Sequence, residues 1–380
     1  MRLAFISNYF NHHQKPLSDA LSAAADGYRF IQTTAMESER ETLGWGGGDT
    51  PPYVCSVDGS SEYSIIRQAD AVIAGSAPEK LIRMAMHEGK VIFRYSERPL
   101  KDGNPIWKYL VRFIRWHRRN PKGRPIYMLC ASAFTEGDYS RFGLFRGRCY
   151  KWGYFPETRR YNSVDALMSG KGRTEILWCG RFLDWKHPDD VIRAALRLKL
   201  DGYDFHVRLI GTGAMEETLK AMIAEHGLEN EVELLCAMPP DDVRRYMEHT
   251  GIYLFTSDRR EGWGAVLNEA MNSGCAVIAA SEIGAAPFLV KNGRNGLIYR
   301  SGDVDGLYEN IKRLLDEPEE QRRLGEAAYH TITDIWNSEV AARRLLALSQ
   351  AIMDGDASPE LFEDGPCSRA ETVSGDWYKE

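Results

Sequence analysis

Short apolar runs alternate with amphipathic segments from the first residues onward, and this rhythm limits the chain's folds more than any other feature. Leu3–Ser7 reads as a buried strand. A polar loop to Lys15 follows, then Pro16 opens a helix reaching about Ala25. Gly27 ends it, and Tyr28–Thr33 reads as a second strand. Strand, loop, helix, strand begins a parallel α/β domain. Strands at 71–74, 91–95 and 126–131 continue the pattern. After an irregular stretch it restarts at Glu175–Cys179, with strands at 205–210, 232–235, 253–255 and 276–280. With 380 residues, two domains are expected. The expected division is 1–156, a linker over 157–174, and 175–335, followed by a helix over 336–353. Residues 354–380, rich in Asp, Glu, Gly, Ser and Pro, read as a disordered tail.

Composition narrows the class. Net charge is −6 and the apolar fraction 43%, values that suit a soluble protein. The seven cysteines are scattered, without CxxC spacing, which argues against a structural zinc site and a disulfide framework. No opening signal peptide and no apolar run of about 18 residues is visible, so a cytoplasmic location is expected. Charge is local rather than domain-wide and no nucleic-acid module is present, so nucleic acid is not an expected partner.

Residues 253–275 read as a strand, a loop and a helix. Gly262 and Gly264 allow backbone to approach a ligand, and the helix's first free amides, beginning near Gly262, offer an anion site. Glu261 lies in the loop and Glu269 at the edge of the helix's apolar stripe. A carboxylate at each end suits sugar or ribose hydroxyls. A helix cap plus a solvent-facing glutamate fits the spacing equally well. The run Glu261-Gly-Trp263-Gly-x4-Glu269-Ala-Met-x-Ser-Gly resembles the paired-glutamate motif of retaining, nucleotide-sugar-dependent glycosyltransferases of the GT-B fold, family 4.

Two cations five apart, Arg181 and Lys186, stand after a strand and before a helix. Arg can clamp two diphosphate oxygens while Lys supplies a mobile point charge. Gly180, Arg181 and Lys186 resemble the family's diphosphate motif, with His187 replacing its usual small residue. Gly211 and Gly213 resemble its Gly-x-Gly loop near the nucleotide. Cys236–Pro239, with Met238, falls where related enzymes hold the base, and the amides of 284–286 where they hold sugar and distal phosphate.

The resemblance implies a GT-B fold: two Rossmann-like α/β domains with parallel sheets facing an interdomain cleft, and a helix near 336–353 crossing back to the first. It implies transfer of a hexosyl unit, with retention, from a UDP- or GDP-linked sugar to a glycan, lipid-linked or small-molecule acceptor in polysaccharide biosynthesis. Arg181, Lys186 and Glu261 are the catalytic candidates. Gly180, Gly211, Gly213, Met238, Gly262, Trp263, Gly264, Ala265, Val266 and Glu269 are the donor-binding ones, with Glu269 on the ribose. No cofactor and no metal is expected, because cations take the place of Mg²⁺ and no Asp-x-Asp motif stands near the pocket. A nucleotide-sugar epimerase of the same fold and an inactive sugar-nucleotide-binding protein are the alternatives.

The first half carries the resemblance only through its order of elements. Asn11, His12 and His13 follow its first strand, where many relatives have Gly-Gly. They are candidates for donor phosphate or acceptor contact, or else a polar surface loop. Glu97 and Arg98 follow the strand at 91–95 and either orient an acceptor or pair with each other. Trp45, in the loop 41–60, either stacks on a sugar or anchors the loop. Residues 106–120 form a basic amphipathic helix, read either as peripheral membrane contact at the inner face or as an ordinary helix packed by its apolar side.

Overall fold

The computed structural model describes residues 1–35, 50–103 and 105–379. Trp45 and residues 41–49 of its loop lie outside them. The chain forms two compact units: Met1–Glu157 with Trp336–Val373, and Thr158–Ile335 with Ser374–Glu380.

The first unit holds a seven-stranded sheet. Its strands are β1 (Arg2–Ser7), β2 (Gly27–Gln32), β3 (Val54–Ser56), β4 (Ala71–Ala74), β5 (Val91–Ser96), β6 (Ile126–Cys130) and β7 (Cys149–Lys151). They lie in the order β3-β2-β1-β4-β5-β6-β7, every pair parallel. Phe5, Ile6, Val72, Ile73, Ile92, Phe93 and Leu129 are buried along the central strands, as a sheet covered on both faces requires.

The second unit holds β8 (Gly172–Cys179), β9 (His206–Ile210), β10 (Val232–Leu235), β11 (Thr250–Phe255), β12 (Ala276–Ala280) and β13 (Leu297–Tyr299). Their order is β10-β9-β8-β11-β12-β13, again all parallel. In each sheet the winding reverses once, between β1 and β4 and between β8 and β11. Ligands of open α/β sheets bind beyond the carboxyl ends of the strands at such a reversal.

Residues 158–174 are part of the second unit rather than a free linker. Arg159 pairs with Asp241 and Glu248 at 2.6 and 3.0 Å, and Val164–Ser169 is helical. Ser338–Met353, the last long helix, packs on Lys15–Ala24 in the first unit.

The tail is ordered, against the expectation of disorder. Arg369 bridges antiparallel to Tyr150 on the edge strand β7, with Ala370 N donating to Cys149 O (3.0 Å) and Cys367 N to Lys151 O (2.8 Å). Cys367 and Ala370 are buried, and Lys151 pairs with Asp364 at 2.6 Å. Polar composition suggested no core of its own, but an edge strand offers unpaired backbone groups that need no apolar partner. Among the described residues no helix is long and apolar enough to cross a membrane.

Candidate functional site

The loops after β8 and β11 meet at the reversal point of the second sheet and are stitched together. Thr256, at the end of β11, accepts from Trp178 Nε1 (2.9 Å) and donates to Lys186 O (2.6 Å). Asp258 N donates to Trp185 O (2.9 Å). Lys186 Nζ then reaches Glu261 Oε2 at 2.6 Å, with both side chains 13% exposed. Ser257 Oγ donates to the same oxygen at 3.1 Å. Lys186 and Glu261, 75 residues apart in sequence, thus form one unit. Arg181, by contrast, is exposed and makes no side-chain hydrogen bond or ion pair among the described residues.

The glycines of the neighbouring loop position this cation pair. Gly180 N donates to Ile210 O (3.0 Å) and Phe182 N to Thr212 O (2.8 Å). A Cβ on Gly211 would stand 1.9 Å from Gly180 O, and one on Gly213 would stand 2.4 Å from Phe182 O. Only glycine lets the two backbones lie this close. Gly211 and Gly213, expected beside the nucleotide, therefore face the segment that carries Arg181.

His187 takes a left-handed conformation (φ 48°) between the short helical turn Asp184–Lys186 and the helix Pro188–Leu200. That conformation explains why a small residue would suit the position. Ligand atoms of His187, Asp189 and Asp190 lie within 4.8 Å of one another, but Arg193 pairs with both carboxylates at 2.7 and 2.6 Å. The guanidinium already supplies the positive charge there.

Gly264 caps the helix Ala265–Asn272 with φ 92°, and a Cβ there would strike the Phe255 ring at 2.5 Å. Leu267 N bonds Gly264 O, while the amides of Ala265 and Val266 take no backbone acceptor among the described residues. These amides and the Arg181 side chain are donors there with no acceptor among the described residues. Glu269 is half-buried on this helix, and its carboxylate accepts no hydrogen bond among the described residues. Burial raises its carboxyl above the usual range, against the pull of Arg244 and Arg159.

The remaining candidates take these places in the fold. The Trp263 side chain is fully buried, its Nε1 bonded to Asn268 Oδ1 at 2.9 Å, so the ring is a core anchor rather than a donor platform. The amides of Gly284 and Ala285 bond Glu261 O and Trp263 O, and that of Ala286 bonds Ile283 O. They brace the glutamate loop. Met238 is half-buried beyond β10 and Gly262 is buried.

In the first unit, Asn11 Oδ1 accepts from the amides of His13 and Gln14, closing a turn ahead of the helix at Lys15. The His12 and His13 rings lie 3.9 Å apart. Burial, then the neighbouring His12, lowers His13 to about 3, so its ring is neutral at physiological pH. Arg98 and Glu97 do not pair with each other. Arg98 reaches the buried Asp138 at 3.5 Å and the Phe134 ring at 4.8 Å, while Glu97 accepts from Tyr154 OH at 2.6 Å.

Sequence reasoning missed Thr256, Ser257, Trp185, Asp138 and Tyr154. Nothing local marks a hydroxyl that will meet a glutamate across a loop.

Two doubly wound parallel units in one chain are the GT-B architecture. Residues 163–331 match the family described as glycosyl transferases group 1. The amylovoran biosynthesis glycosyltransferase AmsK of Erwinia amylovora is 29% identical over 207 residues, 53% of this chain and 50% of that one. A GDP-mannose-dependent phosphatidylinositol monomannoside mannosyltransferase of Mycolicibacterium smegmatis is 27% identical over 186 residues, 47% and 48% of the two chains. The chain spans about half the length of these curated relatives. Among solved structures, Anabaena HepE in complex with UDP superposes with a TM-score of 0.69 at 16% identity, over 93% of this chain and 100% of that one. The apo lipopolysaccharide outer core galactosyltransferase WaaB gives 0.64 at 16%, over 93% and 99%. At such identity the likeness is one of fold.

Proposed function

We propose that the chain is a retaining glycosyltransferase that moves a hexosyl unit from a UDP- or GDP-linked sugar to a glycan, lipid-linked or small-molecule acceptor. The observation that carries this reading is the joined Lys186–Glu261 pair at the reversal point, beside the uncommitted Arg181. As the bond between the anomeric carbon and the diphosphate oxygen breaks, charge grows on the departing group. Arg181, Lys186 and the amides of Ala265 and Val266 meet that charge, and pre-aimed donors of this kind favour the transition state. Glu261, fixed by Lys186 and Ser257, holds sugar hydroxyls, and Glu269 accepts from the ribose. No metal is required, because the side-chain cations take its place.

His12, His13 and the Glu97 region serve the acceptor side. The names of the relatives, amylovoran biosynthesis and phosphatidylinositol mannoside mannosyl transfer, support glycan or lipid-linked acceptors and a role in polysaccharide biosynthesis. We read the protein as cytoplasmic, with residues 106–120 touching the inner face of the membrane.

The test is a donor panel incubated with candidate lipid-linked acceptors, followed by mass analysis of products. Acceptor-dependent release of nucleoside diphosphate, lost in Lys186→Ala and in Glu261→Ala, is the expected result. Unchanged release in both variants would sink the proposal. Sugar interconversion without acceptor product would point to an epimerase, and binding with neither outcome to an inactive binder.

A further inference from the structure

The helix Ile106–Arg119 turns its apolar stripe outward. Trp107, Leu110, Val111 and Ile114 recur at the spacing of a face that helices normally bury. Here they are 73, 64, 61 and 44% exposed. The opposite flank holds the helix to its unit. Tyr109 stacks on Phe142 (centroids 4.6 Å), and buried Trp116 meets Tyr139 and Phe142 at 4.8 and 4.7 Å. Of the eleven large hydrophobic side chains exposed among the described residues, six lie on this helix. Single exposed hydrophobics need no explanation, but a contiguous patch of them marks an interaction surface.

Charge says what kind of surface it meets. Residues 105–124 hold seven Lys and Arg and no Asp or Glu, in a chain of net charge −6. Arg115, Arg118, Lys122 and Arg124 are exposed and form no ion pair among the described residues. Where the helix ends, a groove of about 540 Å³ opens, with Phe113 and Leu144 on its walls. Lys122, Arg124, Arg146 and Arg148 also line it, and no acidic residue does.

We propose that this helix and groove together dock onto an anionic lipid bilayer. The stripe enters the boundary between headgroups and acyl chains, and the groove takes the phosphate headgroup of one lipid. An apolar face flanked by basic residues suits that interface, and a cation near an anionic surface strengthens binding about fivefold. The proposal deepens the membrane contact assigned above to residues 106–120, and it is independent of the transfer chemistry.

The test is sedimentation of the full chain with vesicles of phosphatidylcholine alone and of phosphatidylcholine mixed with phosphatidylglycerol. Binding to the mixed vesicles only is expected, lost at least tenfold in Trp107→Glu/Leu110→Glu. Arg124→Ala/Arg146→Ala should lose about tenfold or more, and Arg83→Ala/Arg343→Ala, elsewhere on the same unit, under twofold. Nucleoside diphosphate binding, measured on every variant, should stay intact. This separates a failed docking site from a misfolded chain or a wrong transferase reading. Equal loss in the two arginine pairs would overturn the groove, and equal binding to both vesicles the anionic preference. Self-association that Trp107→Glu/Leu110→Glu abolishes, with no vesicle binding, would overturn the bilayer in favour of a second copy of the chain.

Discussion

The two units share a winding pattern but place different chemistry at their reversal points. In the second unit the loop after β8 presents Arg181 and Lys186, and the loop after β11 answers with Glu261. In the first, the loop after β1 presents two histidine rings, one of them held neutral by burial. One end suits a diphosphate whose charge grows during reaction. The other suits uncharged hydroxyls. Identical topology fixes where a ligand approaches, and side-chain charge then decides which ligand.

The largest test of that contrast is Lys186→Ala against His13→Ala. Losing one pre-aimed cation should cut kcat/KM about 10²–10³-fold. His13→Ala should leave nucleoside diphosphate affinity unchanged by calorimetry and raise the KM for the acceptor. Comparable loss of donor affinity in both variants would erase the division of labour.

A second test concerns how tightly each loop is built. Gly213→Ala should cost about 1–3 kcal/mol in urea unfolding, because its Cβ meets the Phe182 backbone. Gly75→Ala, beyond β4 in the first unit, crowds the Ser7 hydroxyl at 3.1 Å and otherwise meets Phe5 and Ser7 carbons at 3.5 Å. A rotamer change relieves that contact for about 1 kcal/mol or less.

Glu269 provides a third. Glu269→Gln should weaken nucleoside binding about ten- to hundredfold, the worth of a charged hydrogen bond of about 1.5–3 kcal/mol. In the wild type, affinity should rise as pH climbs through the raised carboxyl value, since the ionised form accepts the hydroxyls. Above the ordinary 4.5 and up to that raised value the native chain holds a proton that the unfolded chain has lost, so stability falls as pH rises there. Calorimetry and melts across that window, compared with Glu269→Gln, read both slopes.

The smallest effect at neutral pH belongs to His13. Its imidazole should stay neutral in an NMR titration down to about pH 3. Because the unfolded chain takes up that proton near 6.5, stability should fall on acidification between 6.5 and about 3, and His13→Asn should flatten the slope.

The central strands of both sheets are legible in the sequence because four to eight buried apolar residues leave a clear mark. Val54–Ser56, Cys149–Lys151 and Leu297–Tyr299 were not read as strands. Each has only three residues and lies at a sheet edge, where its neighbour rather than its own pattern holds it. The tail was misread for a related reason, since its partner is the edge of β7. In the site, the residue types that carry charge, Arg181, Lys186, Glu261 and Glu269, are visible in the sequence. Their mutual commitments are not. That Lys186 meets Glu261 while the Glu269 carboxylate accepts no hydrogen bond among the described residues follows from loop geometry that no spacing encodes. Glu97 and Arg98 stand side by side in sequence, yet each found its partner some 40 or more residues away, at Tyr154 and Asp138.

Gly211 and Gly213 carry a consequence for reading mutational data. A saturation scan scored by activity would flag both as intolerant, as strongly as any ligand-contacting position, because a side chain there would strike the Gly180–Phe182 segment. Their damage would also be indirect, displacing Gly180–Phe182 and so dulling Arg181 without altering any charge. A scan scored for abundance alongside activity would separate the two kinds of intolerance, with the glycines falling in both and Arg181 in activity alone.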